Sequence, residues 1–529
     1  MTWTLETSNG NEAAKIRNEL IPYTAGATLD IGCGPWRAFR HFIGIDEQAQ
    51  PGVQLAMRGE SLEIFADEKF DAVFSSHFLE HVVDYKAALA EWWRVIKIGG
   101  HLCLYLPHRE HYPKIGEPGG NPDHKHDFAP EDILNAMAEV ARRAVRGWDL
   151  MEYEVRAGGN EYSFFLVFRK LASARTLFEG GKRVAAEAAA RAAGNHVAIV
   201  RPGAYGDSLW ASSIAAHLKD QGCRVTLYTG PQGEEVLRAD PNIDRIIVVH
   251  DHQLSPAADP RELPAYWDAE AAKYNRMINL AEAIEKNNLA IHTDLRFYWP
   301  ADVRRQIFGG SYFDRLHDLA GVPHKLRMRF CATPDERSAA QKRIRGLRVQ
   351  GRKLVALAVS GSTPSKFYPH LDALLPALVA AKCDVIILGD TRGWRPVMDA
   401  AAPGAPAVSL HGRVRLIGQD WPMREALAFT QLCDIVIGQE TALLNAVAIE
   451  PMRKVVLLSH SSRQNLTDRW LNTVALSGDV PCYPCHQLHQ TFKHCPRDAA
   501  TGAAVCQADI RVDLIVAAAL EPLKYRTAA

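Results

Sequence analysis

At 529 residues the chain is longer than one hydrophobic core organises, and its 47% hydrophobic and 23% charged residues exclude a disordered or fibrous protein in favour of two or three globular domains. Lysine plus arginine equals aspartate plus glutamate at 61 each, so no overall field selects nucleic acid or an anionic membrane as partner. Residues 1–15 lack both a basic start and an apolar h-region, and no apolar run approaches about 18 residues. This predicts a cytoplasmic chain, with at most peripheral contact at the inner face of the cell membrane. Six of the ten cysteines (Cys33, Cys103, Cys223, Cys331, Cys383, Cys433) lie scattered in or beside apolar segments, the pattern of reduced, buried thiols.

In chain order, apolar runs at 27–31, 41–45, 70–75 and 101–106 alternate with helix-like stretches such as 84–96, the rhythm of a parallel α/β sheet. Runs at 153–156 and 162–169, around Ala157-Gly158-Gly159-Asn160, predict a hairpin completing that sheet and a first domain over 1–170. Residues 171–195 are rich in Ala, Arg and Glu, with a helix pattern at 182–193, and predict a helical linker. A strand at 196–201, a glycine-containing turn, a helix at 207–221 and a strand at 224–228 then open a βαβ domain expected over 196–345. A strand at 353–359, a Ser/Thr/Gly loop, a helix at 370–382 and a strand at 384–388 open another, expected over 346–529. The last two read as paired Rossmann-type halves.

The first glycine turn follows an apolar strand: Thr28-Leu29-Asp30-Ile31-Gly32-Cys33-Gly34-Pro35. Glycines there admit positive φ and close approach of a cofactor, although Gly-x-Gly alone is equally an ordinary strand-to-helix turn. A second strand, Phe42-Ile43-Gly44-Ile45-Asp46, ends in a carboxylate placed to accept from ribose hydroxyls. Together with Leu79-Glu80-His81 and Gly99-Gly100, in that order, these segments resemble the class I S-adenosylmethionine methyltransferases of the type 11 kind, over roughly residues 20–170. The resemblance implies that Asp30, Gly32 and Gly34 cradle the methionine part, that Asp46 binds the ribose, and that Leu79-Glu80-His81 lies beside the transferred methyl. It also makes Gly99-Gly100 a turn ahead of the later strands. Met57-Arg58-Gly59-Glu60 departs from the acidic pattern near the adenine and leaves Glu60 as the candidate contact.

Because the sulfonium is already activated, methyl transfer needs a positioned acceptor first and a base near neutrality second. His81 and His108 are the candidate bases, set against a capping or core-edge role for each. The run His124-Lys125-His126-Asp127-Phe128 reads as a loop leading into a helix at 130–142 rather than as a metal site.

In the second half, Val200-Arg201-Pro202-Gly203-Ala204-Tyr205-Gly206-Asp207 is a glycine turn running into a helix, where Asp207 caps at least and does chemistry at most. With Thr229-Gly230-Pro231 and Asp240-Pro241-Asn242-Ile243-Asp244 it resembles the family 9 glycosyltransferases, the ADP-heptose:lipopolysaccharide heptosyltransferases, over 196 to about 520. The resemblance implies a GT-B fold of two facing Rossmann-like domains. It makes Asp207 the general base on an acceptor hydroxyl and Lys366 the cation beside the donor's pyrophosphate, with Ser362 and Thr363 as phosphate ligands. Glu440, Thr441 and the helix after them would face the same phosphates, with no divalent metal needed. The chain reads Glu440-Thr441-Ala442 and Asn445 where the family commonly has Asp-Thr-Gly and a later His, so an ADP-heptose donor does not follow from the resemblance.

Near the C-terminus, Cys482, Cys485, Cys495 and Cys506, with His486, His489 and His494 among them, fit either a structural zinc site or free or disulfide-linked thiols. Taken together, the expectation is a bifunctional transferase. It would use S-adenosylmethionine and a nucleotide sugar on a glycan or lipid-linked saccharide, as in lipopolysaccharide biosynthesis. The alternatives are a glycosyltransferase with a scaffolding methyltransferase fold, or a viral enzyme acting on a nucleobase or host surface sugar; neutral net charge argues against nucleic acid.

Overall fold

A computed structural model describes residues 11–250, 262–281, 289–359, 361–389, 413–418 and 421–521. The chain divides into two units, one made of Met1–His196 and Val248–Asn275, the other of Val197–Ile247 and Arg276–Ala529.

The first unit is built on eight strands: β1 (Thr28–Ile31), β2 (Ile43–Asp46), β3 (Leu55–Ala56), β4 (Phe70–Ser76), β5 (Ile96–Pro107), β6 (Trp148–Gly158), β7 (Glu161–Lys170) and β8 (Thr176–Leu177). They lie in the order β3-β2-β1-β4-β5-β7-β6-β8. Strands β1 to β5 are parallel, and β7 runs antiparallel between β5 and β6. The central strands read as continuous apolar runs because both faces are covered. Val73, Leu102, Leu104, Phe164 and Leu166 pack on one side, under α2 (Tyr85–Val95) with its Trp92 and Trp93 and α3 (Pro130–Ala144). The intervening residues Phe74, Cys103, Tyr105, Phe165 and Val167 pack on the other, against Ile16 and Leu20 of α1 (Ala13–Leu20). This strict alternation is the two-residue period of a pleated strand.

Gly99 and Gly100 lie inside β5 rather than in a turn ahead of it. Gly99 adopts φ +85° where the pairing with β4 shifts register between Phe70 and Ala72, so the pair relieves a bulge. Residues 171–195 carry β8 and α4 (Glu179–Ala192), and α4 lies along β6. Its Gly180 approaches so closely that a Cβ there would fall 2.2 Å from the Leu150 carbonyl oxygen.

The second unit holds two Rossmann-like sheets. The first contains β9 (His196–Val200), β10 (Arg224–Thr229), β11 (Arg245–Val248) and β12 (Arg276–Asn279), ordered β11-β10-β9-β12, with α5 (Tyr205–Asp220) following β9. A short pair joins β13 (Ala290–Ile291) to β20 (Gln487–Leu488). The second sheet contains β14 (Lys353–Ala358), β15 (Cys383–Leu388), β16 (Val414–Gly418), β17 (Ile435–Gln439), β18 (Arg453–Leu457) and β19 (Thr473–Leu476). All are parallel, in the order β16-β15-β14-β17-β18-β19. Leu354 and Ala356 face a core shared with Val197 and Ile199 of the first sheet, while Val355 and Leu357 face the helices Leu371–Ala380 and Val512–Leu520.

The strand order reverses between β1 and β4 in the first unit, and between β9 and β12 and between β14 and β17 in the second. Loops leaving the carboxyl ends of such neighbouring strands diverge and open a crevice, which is where ligands of doubly wound folds bind.

Candidate functional site

In the first unit the chain leaves β1 through Gly32 (φ +72°) and Gly34 (φ +51°). A Cβ on Gly32 would lie 2.3 Å from the Phe78 ring, so only glycine lets this loop pass the turn after β4. Around Gly34 there is nothing within 4 Å of such a Cβ; the backbone faces open space that a ligand can fill. Asp46, at the end of neighbouring β2, accepts the Gly34 N–H at 3.0 Å through Oδ2 and the Gln48 N–H at 3.0 Å through Oδ1. Asp30 is buried and accepts the Ala38 N–H at 2.8 Å. Burial pushes its carboxyl up to about 7, with the Ala38 bond and the Arg37 guanidinium acting against the rise. Asp30, Gly32, Gly34 and Asp46 therefore meet around one loop at the strand-order reversal, whereas the carboxylate of Glu60 is engaged by Arg58, whose Nε lies 2.9 Å away.

The loop after β4 forms the other wall. It runs through His77 (φ +48°) and Phe78 into the 3-10 turn Leu79–His81. His81 is half-buried, with its ring 4.8 Å, edge-on, from that of His124. His108 is buried; its Nδ1 accepts the Glu110 N–H at 3.1 Å and its ring meets Phe164 edge-on, so it fastens its own loop. His77 and Ser163, whose side chains meet at 2.9 Å, and Tyr112, stacked 5.4 Å from His124, were not singled out by the sequence, because their strands and loops are far apart in the chain.

In the second unit, Asp207 is the third residue of α5 and reaches back to the start of the helix, its Oδ2 accepting the Ala204 N–H at 3.3 Å. Its Oδ1 lies 3.6 Å from the guanidinium of Arg201, which is itself buried and donates to the Asp207 and Leu280 carbonyls. Gly206 sits so tightly on the helix Ala442–Asn445 that an added Cβ would fall 2.6 Å from Asn445 Nδ2. That contact seats the first turn of α5, with Asp207, against the helix that follows β17.

The loops after β14 and β17 flank the reversal of the six-stranded sheet. Buried Lys366, from the first loop, donates to the Glu440 carbonyl at 3.3 Å, and its ammonium lies 3.7 Å from Glu440 Oε2. Glu440 also takes the Ser459 N–H at 3.1 Å, the Ser461 hydroxyl at 2.7 Å and His460 Nδ1 at 2.9 Å. Burial opposes its charge, yet His460, Lys366 and Ser461 together hold the carboxyl down at about 2. Thr363 is buried and shares a 3.0 Å hydroxyl contact with Ser365, while Ser362 is exposed. Ser360 lies outside the described residues. Thr441 Oγ1 and Asn445 Oδ1 are buried without a hydrogen-bond partner among the described residues, at the start and end of the same short helix. His460 had no sequence signal. It stands after β18, twenty positions beyond Glu440, and only the parallel register brings the two loops together.

The four C-terminal cysteines are free thiols lining one cavity of about 160 Å³ with His460, His489 and His494. Cys485 Sγ lies 3.9 Å from His489 Nε2, and burial raises the thiol of each cysteine. No disulfide joins them. Among the described residues no helix is long and apolar enough to cross a membrane.

Residues 29–104 match the methyltransferase-domain family. A demethylmenaquinone methyltransferase of Roseiflexus sp. (strain RS-1) is 30% identical over 111 residues, 17% of this chain and 47% of that protein, so the match spans under half of the relative's length. Among solved structures, the chain is similar to the ADP-heptose lps heptosyltransferase II of E. coli, with a TM-score of 0.43 at 12% identity over 61% of this chain and 97% of that one. It is also similar to a family 9 glycosyl transferase of Veillonella parvula DSM 2008, with a TM-score of 0.42 at 12% identity over 62% and 96%. The S-adenosylmethionine dependent methyltransferase of Mesorhizobium loti has a TM-score of 0.24 at 14% identity over 30% and 98%.

Proposed function

We propose that the chain is a two-part transferase: its first unit methylates from S-adenosylmethionine, and its second unit moves a sugar from a nucleotide donor to a saccharide acceptor, as in assembly of a lipopolysaccharide or other surface glycan. For the first unit, support comes from the family match over residues 29–104 and from the open backbone at Gly34 beside Asp46. S-adenosylmethionine, when bound, supplies a methyl already activated on sulfur. This chain's part is to hold it, with the Gly32–Gly34 loop along its methionine end and Asp46 at the ribose, and to present the acceptor from the His81 side. Asp30, buried and bonded to Ala38, fixes the loop.

For the second unit, the observation that carries the reading is the Lys366–Glu440 pair across the strand-order reversal, facing the helix end on which α5 seats Asp207. Asp207 takes the proton of the acceptor hydroxyl as its oxygen bonds the anomeric carbon and the sugar–phosphate bond breaks. Lys366 offsets the charge gathering on the departing diphosphate, with Ser362, Thr363 and Thr441 as its hydroxyl neighbours. The shared cavity of Cys482, Cys485, Cys495 and Cys506 supports a structural zinc reading for that loop. Zinc that disappears in Cys485→Ser together with thermal stability fits that reading, and a metal-free chain of unchanged stability sinks it.

Thermal protection of the full chain by S-adenosylhomocysteine and by a panel of nucleotide sugars tests both halves separately. A raised melting temperature with one nucleotide class identifies the donor. A chain indifferent to S-adenosylhomocysteine favours a scaffold role for the first unit, and one indifferent to every nucleotide sugar refutes the glycosyl-transfer reading.

A further inference from the structure

The turn after β4 meets the loop ahead of α3 in a way neither methyl-donor binding nor core packing uses. Ligand-bearing atoms of Glu80, His81 and His124 all lie within 4.8 Å of one another. Glu80 is fully buried, and neither of its carboxylate oxygens has a hydrogen-bond partner among the described residues. Its Oε1 lies 3.9 Å from both His124 Nε2 and His77 Nδ1. No lysine or arginine among the described residues pairs with it. The two loops are pinned together by their backbones: the Lys125 and His126 N–H groups donate to the Glu80 carbonyl at 2.7 and 3.2 Å. His126 turns away, its Nε2 within 3.2 Å of the Val82 and Val83 carbonyls.

A carboxyl in this position is costly in either protonation state. As an anion it is buried without a counter-charge; as an acid its O–H has no acceptor in reach. Removal from water disfavours every charged form here, and the neutral imidazole is the form that ligates metals. What the cluster lacks is positive charge. Two neutral imidazoles and one carboxylate are a ligand set that selects divalent transition metals over magnesium or calcium, and three protein ligands leave a coordination position open. Bonds of about 2.0 to 2.2 Å set tetrahedral ligands about 3.5 Å apart, so side-chain rotation closes the remaining ångström.

We propose that Glu80, His81 and His124 form a binding site for a divalent transition-metal ion in the first unit, beside the crevice where β1 and β4 diverge. Phe78, which packs on Gly32, stands two residues before Glu80 and sets the site next to the glycine loop. The backbone run 124–128 is a loop into α3, as its sequence indicates, but the structure brings His124 forty-four positions back to a buried glutamate that gives its placement a purpose. Metal binding here stands independently of the methyl donor.

Cobalt(II) titrated into the chelator-treated full chain tests this, because cobalt on nitrogen and oxygen gives weak visible bands without the strong near-ultraviolet thiolate-to-cobalt charge transfer that the cysteines would produce. We expect about one equivalent of saturable binding of the first kind, weakened at least about tenfold in His81→Ala and in His124→Gln and retained in Cys485→Ser. In the wild type the two sites separate by stoichiometry, uptake beyond that accounted for by the thiolate band belonging to the nitrogen and oxygen site, so the test does not require any variant to fold. Cobalt uptake that always carries thiolate charge transfer, or no saturable uptake at all, overturns the proposal, as does unchanged affinity in both histidine variants.

Discussion

Lys366 is held twice by one residue: its ammonium donates to the carbonyl oxygen of Glu440 and lies 3.7 Å from that same residue's carboxylate. The loops after β14 and β17 are thereby tied across the crevice between them, and the position of the cation no longer depends on its own flexible stem. Glu440, one methylene longer than aspartate, reaches the Ser459–Ser461 loop after β18 as well, so three loops share a single carboxylate.

Glu440→Gln keeps most of the shape but removes the charge, leaving Lys366 buried without its partner. Loss of about 3 to 5 kcal/mol of stability is expected, read as a lower denaturant midpoint for the second unit. An unchanged midpoint shows that the pair contributes little.

Asp207→Asn retains an acceptor for the Ala204 N–H, whereas Asp207→Ala loses the cap. The alanine variant should lose about 1 kcal/mol of stability and the asparagine variant much less, while both lose glycosyl transfer by about 10² to 10⁴-fold. Transfer rates and melting curves measured on the same preparations separate the two roles; an active Asp207→Asn removes the base from this residue.

Gly32 and Gly34 should fail differently. In Gly34→Ala the new methyl enters open space at φ +51°, costing about 1 to 2 kcal/mol of backbone strain. Because that space is where the donor is placed, S-adenosylhomocysteine affinity should fall at least about tenfold, or about 1.4 kcal/mol. Gly32→Ala collides with Phe78 and should unsettle the unit whether or not ligand is present. Calorimetric titration and melting of both variants check the distinction, and equal ligand affinity in Gly34→Ala and the parent chain would place the donor elsewhere.

Acid should loosen the second unit through Glu336. Arg424 donates Nε to Oε1 at 2.6 Å and Nη2 to Oε2 at 2.8 Å, and also bonds the carbonyls of Glu235, Val236 and Cys331. The Arg424 bonds, joined by the Thr333 N–H, outweigh desolvation and hold the Glu336 carboxyl at about 2, below its ordinary 4.5. A depressed carboxyl stabilises the fold above its unfolded value and loses that stabilisation as it is protonated. Stability should therefore decline as pH falls from about 4.5 toward 2, and Glu336→Gln should flatten that part of a urea-midpoint profile.

Local chemistry made much of this legible beforehand. An unbroken apolar run followed by a glycine-bearing turn reads as a strand and the loop leaving it, so β1, β9 and β14 and the segments bearing Asp30, Asp207 and Lys366 could be read directly. Asp46 was placed by the same logic, since a carboxylate ending the second strand lies beside the first by register. Glu60 shows the limit. Its sequence position fits an adenine contact, but a side chain two residues away, Arg58, engages its carboxylate, and sequence spacing does not rank such competitors.

The sequence by itself determined which residues could stand at strand ends, because strand period and glycine conformation are properties of a few neighbouring residues. Only the tertiary structure decided that His124 reaches Glu80, that His460 reaches Glu440 and that Gly206 seats on Asn445, because such meetings depend on strand order and loop path. Burial then fixes their chemistry: removing water raises Glu80, while His460, Lys366 and Ser461 lower Glu440, and no pattern of residue types encodes which neighbours a buried carboxylate will have.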